Sequence, residues 1–208
     1  MLDQVHAQFE SGPFAGLPRG HYRVAYADPP WRFHAWSHRG EKKGACQHYQ
    51  TRDLDEICAL PVGELMAPDA ALFLWITQPM VPEALRVLCA WNFEYRTVAF
   101  VWIKMPPTWS EGLFPLRIRP RLGLGYHTRS GSEQCWLAIR GKGYKRQSQG
   151  VEQVLHAPIR EHSRKPDAFR SRINELVGDI PKIELFARAR VPNWHSWGLE
   201  TDKFGGGP

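Results

Sequence analysis

The chain has 208 residues and a mass of 23.9 kDa, the length of one large domain, and its 43% hydrophobic, 23% charged composition excludes a disordered or collagen-like chain. It contains no run of about 18 apolar residues that would span a bilayer, and the first 20 residues carry Asp3 and Glu10 but no apolar signal-peptide core. The four Cys, at 46, 58, 89 and 135, form no CxxC pair. That excludes the usual zinc-finger spacings and predicts reduced thiols in a cytoplasmic protein.

In chain order the pattern alternates strands and helices. Residues 22–28 (YRVAYAD) read as a strand stopped by Pro29 and Pro30, which cannot donate to a ladder. Residues 53–60 open with an acid and end before Pro61, a short helix. The apolar run 70–76 has strand length and no polar face, as in a sheet covered on both sides. Residues 82–91 place Ala84, Leu85, Leu88 and Cys89 at helical spacing. An aromatic and β-branched strand follows at 93–104. The pattern then lapses over 105–132, a long loop region rich in Pro, Gly and Arg; loops of that length are usually functional or disordered. Strands are expected again at 134–139 and 153–156, a helix over 167–177, and a final strand at 182–186. The helix has Pro166 in its first turn and Phe169, Ile173, Leu176 and Val177 on one face. This order predicts an α/β domain over residues 21–200, a mostly parallel sheet with helices on both faces. Residues 1–20 form an N-terminal segment, and 201–208, ending in Gly-Gly-Gly-Pro, a flexible tail.

Charge points to a partner. Between Arg117 and Arg172 there are 13 basic residues against four acidic ones, within a chain of net charge +6. A segregated positive field suits a polyphosphate, because neutralised phosphates release condensed counterions; it suits a solvated basic face equally well. The nine Trp fit either base stacking or an indole-rich core. His34 and His38 are spaced i, i+4, but Trp36, Arg39 and Gly40 around them read as a loop, so no metal is expected.

Asp28-Pro29-Pro30-Trp31 carries the most chemistry. As structure alone it is a strand ending in a stiff turn. As chemistry it offers two acceptors for an amino group: a carboxylate on Asp28 and the adjacent Pro29 carbonyl. An exocyclic base amine is a poor nucleophile because its lone pair is delocalised into the ring. Accepting both of its hydrogens pulls the nitrogen towards tetrahedral geometry and frees that pair for a methyl sulfonium. Trp31 can stack on the base, a contact worth about 1–3 kcal/mol in single-strand binders.

These residues resemble the DPPW motif of the MT-A70 family of N6-adenine methyltransferases. Further segments follow in the family's order: His48-Tyr49-Gln50-Thr51 with Leu54-Asp55-Glu56-Ile57, Leu72-Phe73-Leu74-Trp75, Val101-Trp102-Ile103-Lys104 and Gly131-Ser132-Glu133. His162-Ser163-Arg164-Lys165-Pro166, residues 182–188 and residues 194–200 complete the resemblance, which spans about 22–200.

The resemblance implies a Rossmann-like fold in permuted order, catalytic motif first and cofactor motifs last, with S-adenosylmethionine as cofactor. It implies that Asp28 and Pro29 grip the adenine amino group, that Pro30 and Trp31 shape the pocket, and that Asp28 also lies at the cofactor. Lys165 would pair with the cofactor carboxylate beside Ser163, in keeping with a cation just before a helix start. Phe186, Arg188, Leu199 and Glu200 would line the ribose and adenine side. Leu199 stands where the family commonly has Asn and brings no side-chain hydrogen bond. Tyr49 would close over the reactants, and Trp102, Lys104 and Glu133 would face the base or its flanking phosphate. The segments 32–43 and 105–129 would offer a basic surface that offsets the few kcal/mol, roughly, of base extrusion.

No zinc-finger or helical leader precedes residue 20, as expected of the compact bacterial or phage branch. DNA is the expected partner, with RNA the alternative; a restriction-protective role is an analogy to relatives. A non-catalytic nucleic-acid-binding subunit on the same fold is the rival, and Asp28 and Lys165, which such subunits typically lose, argue against it.

Overall fold

The computed structural model describes residues 7–31, 53–110, 120–123, 127–161 and 163–204. Seven strands form one sheet in the order β5-β3-β4-β2-β1-β6-β7. They are β1 (Tyr22–Ala27), β2 (Met66–Ile76), β3 (Glu94–Met105), β4 (Ser132–Arg140), β5 (Val154–Pro158), β6 (Lys182–Leu185) and β7 (His195–Trp197). Every neighbouring pair is parallel except the two that β4 makes, with β2 and with β3. Six strands therefore end on one edge of the sheet, and β4 begins there. The sheet grows from β1 through β2 in one direction and through β6 in the other, so the switch point lies between β1 and β6.

Among the described residues the α-helices are α1 (Leu54–Cys58), α2 (Val62–Leu65), α3 (Val81–Ala90) and α4 (Ala168–Val177). Asp53 and Glu56 make a capping box that starts α1, the Asp53 N–H donating to the Glu56 carboxylate at 3.2 Å. Alternate residues of each central strand feed two clusters. Ala25, Ala27, Leu72 and Leu74 face α1–α3 and the segment bearing Phe9 and Phe14. Val24, Tyr26, Phe73 and Trp75 face Phe169, Ile173 and Val177 of α4. The expected continuous apolar strand thus has both faces covered.

Several elements differ from expectation. Lys182–Leu185 is not the last strand, since β7 follows it; three residues are too short to show a period. The four-residue α2 escapes notice for the same reason. β2 begins at Met66 rather than Ala70 because the register to β1 shifts between Tyr22 and Val24, which accommodates Pro68 inside the strand. On α3 the buried residues are Ala84, Val87 and Leu88, whereas Leu85 and Cys89 are exposed.

One buried ion pair ties α4 to the sheet. The Arg170 guanidinium binds Glu184 in the middle of β6 through two nitrogens, at 2.6 and 2.7 Å, and reaches Asp167 at 2.7 Å. Burial pushes the Glu184 carboxyl up, and Arg170 opposes that rise. Removing the cation would leave a carboxylate in the interior. Arg170→Ala is expected to lower the unfolding free energy by about 3–5 kcal/mol in urea denaturation, and pairing Arg170→Met with Glu184→Leu to recover most of it. A loss below about 1 kcal/mol for Arg170→Ala would show that the pair is not uncompensated once broken.

Candidate active site

Asp28 is the first residue beyond β1, at the carboxyl edge beside the switch point, where ligands of open α/β sheets bind. The turn after it is stiff. Pro29 is buried, its carbonyl accepts the Trp31 N–H at 2.8 Å, and the Trp31 indole N–H donates to the Trp75 carbonyl at 3.0 Å. A carbonyl oxygen has a second lone pair, so the Pro29 oxygen remains able to accept from a substrate.

Four side chains from four parts of the chain then alternate in charge. Lys165 Nζ lies 2.7 Å from Asp28 Oδ2 and 3.4 Å from Glu133 Oε2, and Glu133 Oε1 lies 2.5 Å from Lys104 Nζ. Lys104 comes from the end of β3, Glu133 from the start of β4, and Lys165 from the turn before α4. Both ammonium groups also sit on indole faces, Lys165 at 5.3 Å from the Trp75 ring and Lys104 at 5.4 Å from that of Trp102. Burial alone would raise the Glu133 carboxyl; Lys165 and Lys104 outweigh it and hold the group below the ordinary range.

An open cleft lies between the ends of β1 and β6. Asp28, Ser163, Lys165, Phe186, Arg188 and Phe204 line it, together with Arg164 and the Arg170–Glu184 pair. Ser163 and Phe186 both have left-handed backbones, with φ of 61° and 59°. Non-glycine residues held there cost of order 1–3 kcal/mol each and cluster at binding sites. Gly198, just beyond β7, closes on the Phe186 turn: a Cβ there would lie 2.6 Å from the Ala187 oxygen.

The structure brings together Asp28, Pro29, Ser163, Lys165, Phe186, Arg188 and, through the lysines, Lys104 and Glu133. It corrects other expectations. Trp31 is buried against the α1–α3 face with its indole N–H bonded, so it anchors the turn and offers no stacking surface. Trp102 is likewise buried, its N–H donated to the Ala157 carbonyl of β5 at 2.9 Å. Lys104 and Glu133 engage each other and Lys165. Leu199 is 79% exposed and is not part of the cleft wall. Glu200 stands behind Arg188, 3.5 Å from its Nε and 2.6 Å from Lys203. Pro30 is half-buried. Tyr49, His34, His38 and the segment 32–43 lie outside the described residues.

Sequence reasoning missed Glu184, Arg170 and Phe204. A carboxylate inside an otherwise apolar strand run was the signal for the first. Phe204 falls in the expected tail, yet residues 201–204 form a turn, and its ring lies 4.7 Å from the Arg164 guanidinium.

A mostly parallel sheet, covered on both faces and opening a charged cleft at the switch point of its carboxyl edge, defines a Rossmann-like methyltransferase fold. A model of the MT-A70 family matches residues 22–200. The Type II methyltransferase M.MunI of a Mycoplasma species is 34% identical over 203 residues, covering 90% of this chain and 81% of that protein. The human N(6)-adenosine-methyltransferase catalytic subunit METTL3 is 29% identical over 188 residues, and the Drosophila melanogaster N(6)-adenosine-methyltransferase MT-A70-like protein 30% over 186. Each covers 88% of this chain, which spans less than a third of either protein's own length. The chain belongs to the MT-A70 family: it is a methyltransferase, and the methyltransferases of that family use S-adenosylmethionine. No described helix is long and apolar enough to cross a membrane.

The Glu133 result has a consequence for stability. Its folded pKa lies below the unfolded one, so the ionised group contributes stability that is complete above the ordinary value of 4.5 and is lost as pH falls through the lowered folded value. Glu133→Gln is expected to be less stable than wild type at neutral pH, with the gap narrowing below pH 4.5 in acid titrations of thermal stability. Parallel acid limbs would contradict the coupling.

Proposed function

We propose that the chain transfers the methyl group of S-adenosylmethionine to the N6 amino group of adenine in DNA. The observation that carries this reading is the pair of acceptors at the edge of β1: the Asp28 carboxylate, oriented by Lys165 at 2.7 Å, beside the Pro29 carbonyl on a turn closed by Trp31. Lys165 holds Oδ2, so one amino hydrogen would be accepted at Oδ1 and the other at the free lone pair of Pro29. The attacking nitrogen would direct its lone pair at the methyl carbon as the carbon–sulfur bond breaks and S-adenosylhomocysteine leaves, and the methylated amine, then acidic, would lose its proton to water. Asp28 need not be a strong base; its work is orientation, which supplies much of the rate in such reactions.

The cleft suits the cofactor's chemistry. Charges of both signs, Asp28, Lys165 and Arg164, match an amino-acid zwitterion, and Phe186 and Phe204 offer apolar walls to an adenine. When bound, S-adenosylmethionine supplies the electrophilic methyl. Ser163 and Lys165 would hold its amino-acid end, and Arg188, braced by Glu200, its ribose side.

DNA is favoured over RNA because the Type II methyltransferase is matched over most of its length, whereas the N(6)-adenosine-methyltransferases are matched over a minor part of theirs. Adenine N6 is favoured because those latter proteins are named for that position. The test is transfer from labelled cofactor to sequence-matched duplex DNA, single-stranded DNA and RNA, followed by nucleoside digestion and mass spectrometry. N6-methyladenine is expected in the DNA pools, and Asp28→Ala is expected to lose about 10²-fold or more in rate while keeping its fold. Product confined to RNA would transfer the reading to RNA, and near-wild-type turnover by Asp28→Ala would remove the gripping mechanism.

A further inference from the structure

Residues 7–20 precede the span that the family model matches, yet they are built into the domain. The segment closes on itself through the Phe9 N–H donating to the Leu17 carbonyl at 3.0 Å and the Gly16 N–H to the Phe9 carbonyl at 2.9 Å. The Arg19 guanidinium covers the Phe9 ring at 4.0 Å, and Phe14 is completely buried. This is more order than a leader strand requires, and its aromatic residues point along a line that ends at the cleft.

The Phe14 ring meets Trp197 edge-on at 4.8 Å, and the Trp197 indole N–H donates to the Pro13 carbonyl at 2.6 Å. The other side of Trp197 meets Phe186 edge-on at 5.4 Å. Phe186 is the cleft residue with the left-handed backbone. Its turn is closed from the same direction by the main chain, the Ala187 N–H donating to the Trp197 carbonyl at 2.9 Å, while Gly198 leaves no room for a Cβ. A phenylalanine in a strained backbone conformation persists only where its surroundings hold it there. Here Trp197 is part of those surroundings, and Phe14, with the Pro13 carbonyl, is part of what holds Trp197.

We infer that residues 7–20 are a cofactor-positioning element, in which Phe14 acts through Trp197 to keep Phe186 in the conformation that forms one wall of the cleft. The inference rests on the methyl-transfer reading above. Phe14 and Trp197 touch no reactant; they are positioning residues, and their loss should weaken cofactor binding while leaving the chemical step intact. That pattern separates positioning from general destabilisation, which would follow stability wherever the substitution were made.

The experiment uses the full chain, with the dissociation constant of S-adenosylhomocysteine measured by calorimetry and kcat and KM for S-adenosylmethionine measured at saturating DNA. Phe14→Leu and Trp197→Leu are each expected to raise Kd and KM about tenfold, the scale of relaxing one strained residue, with kcat within about twofold of wild type. Trp197→Phe keeps a ring between Phe14 and Phe186 and is expected to recover most of the affinity; it carries the test, with Trp197→Leu, if Phe14→Leu does not fold. Val87→Ala, a buried truncation on α3, serves as the stability control and should leave Kd unchanged. Unchanged Kd in the Phe14 and Trp197 variants, or an equal rise in Val87→Ala, would overturn the positioning role while the methyl-transfer reading stood. A wild-type protein that neither binds S-adenosylhomocysteine nor turns over would overturn both.

Discussion

The alternating row Asp28, Lys165, Glu133, Lys104 is the constraint around which the carboxyl edge of the sheet is arranged. No member is comfortable alone. The Lys165 side chain is only 9% exposed and Glu133 20%, burial that an isolated ammonium or carboxylate would resist by shifting its pKa. Together they satisfy one another, and the indole faces of Trp75 and Trp102 add a weaker electrostatic floor. The row joins the ends of β1 and β3, the start of β4 and the approach to α4, so Asp28 finds its partner on a segment that follows five of the seven described strands in the chain.

The antiparallel β4 is what makes the row possible. A parallel strand in that place would present its carboxyl end to the cleft edge; β4 presents its first residues, and Glu133 enters between Lys104 at the end of β3 and Lys165 in the turn before α4. The same strand sits between β2 and β3 and carries Cys135 and Trp136 into opposite cores. A single reversal in an otherwise parallel sheet thus brings an acid to an edge that already gathers cations, without any further loop.

Much of this is legible in the sequence, and the rest fails for identifiable reasons. The tetrad at 28–31 is legible because proline after a strand is a local rule, whereas Lys165 is legible only through the family resemblance, since a lysine before a helix is by itself an ordinary surface residue. The direction of β4 is not, since a strand reads the same in either orientation. The nine Trp are visible as a count but not as contacts. The indole N–H groups of Trp31, Trp91 and Trp102 each reach a main-chain carbonyl of another element, which ties elements together instead of offering faces to bases. Leu199 and Glu200 lie close in sequence to cleft residues, yet the turn after β7 points one out to solvent and sets the other behind Arg188. β7 itself is three residues long and gives no periodicity to read.

The two strained residues show how the cleft keeps its shape without a ligand. Ser163 and Phe186 both line it, each in a region that side chains avoid, and each is followed closely by a contact that fixes it. After Ser163 come Lys165, bonded to Asp28, and the buried Pro166, which leads into α4. After Phe186 comes Ala187, bonded to Trp197 on an edge strand that has little hold of its own. The first residue is fastened by charge and the second by aromatic packing and one main-chain bond. The first kind of fastening depends on charge that burial largely shields from salt, and the second on aromatic contact. A cleft held by two unlike interactions is less easily opened by any single change of conditions, and the amino-acid and nucleoside ends of a ligand lying across it would each meet the wall suited to its chemistry.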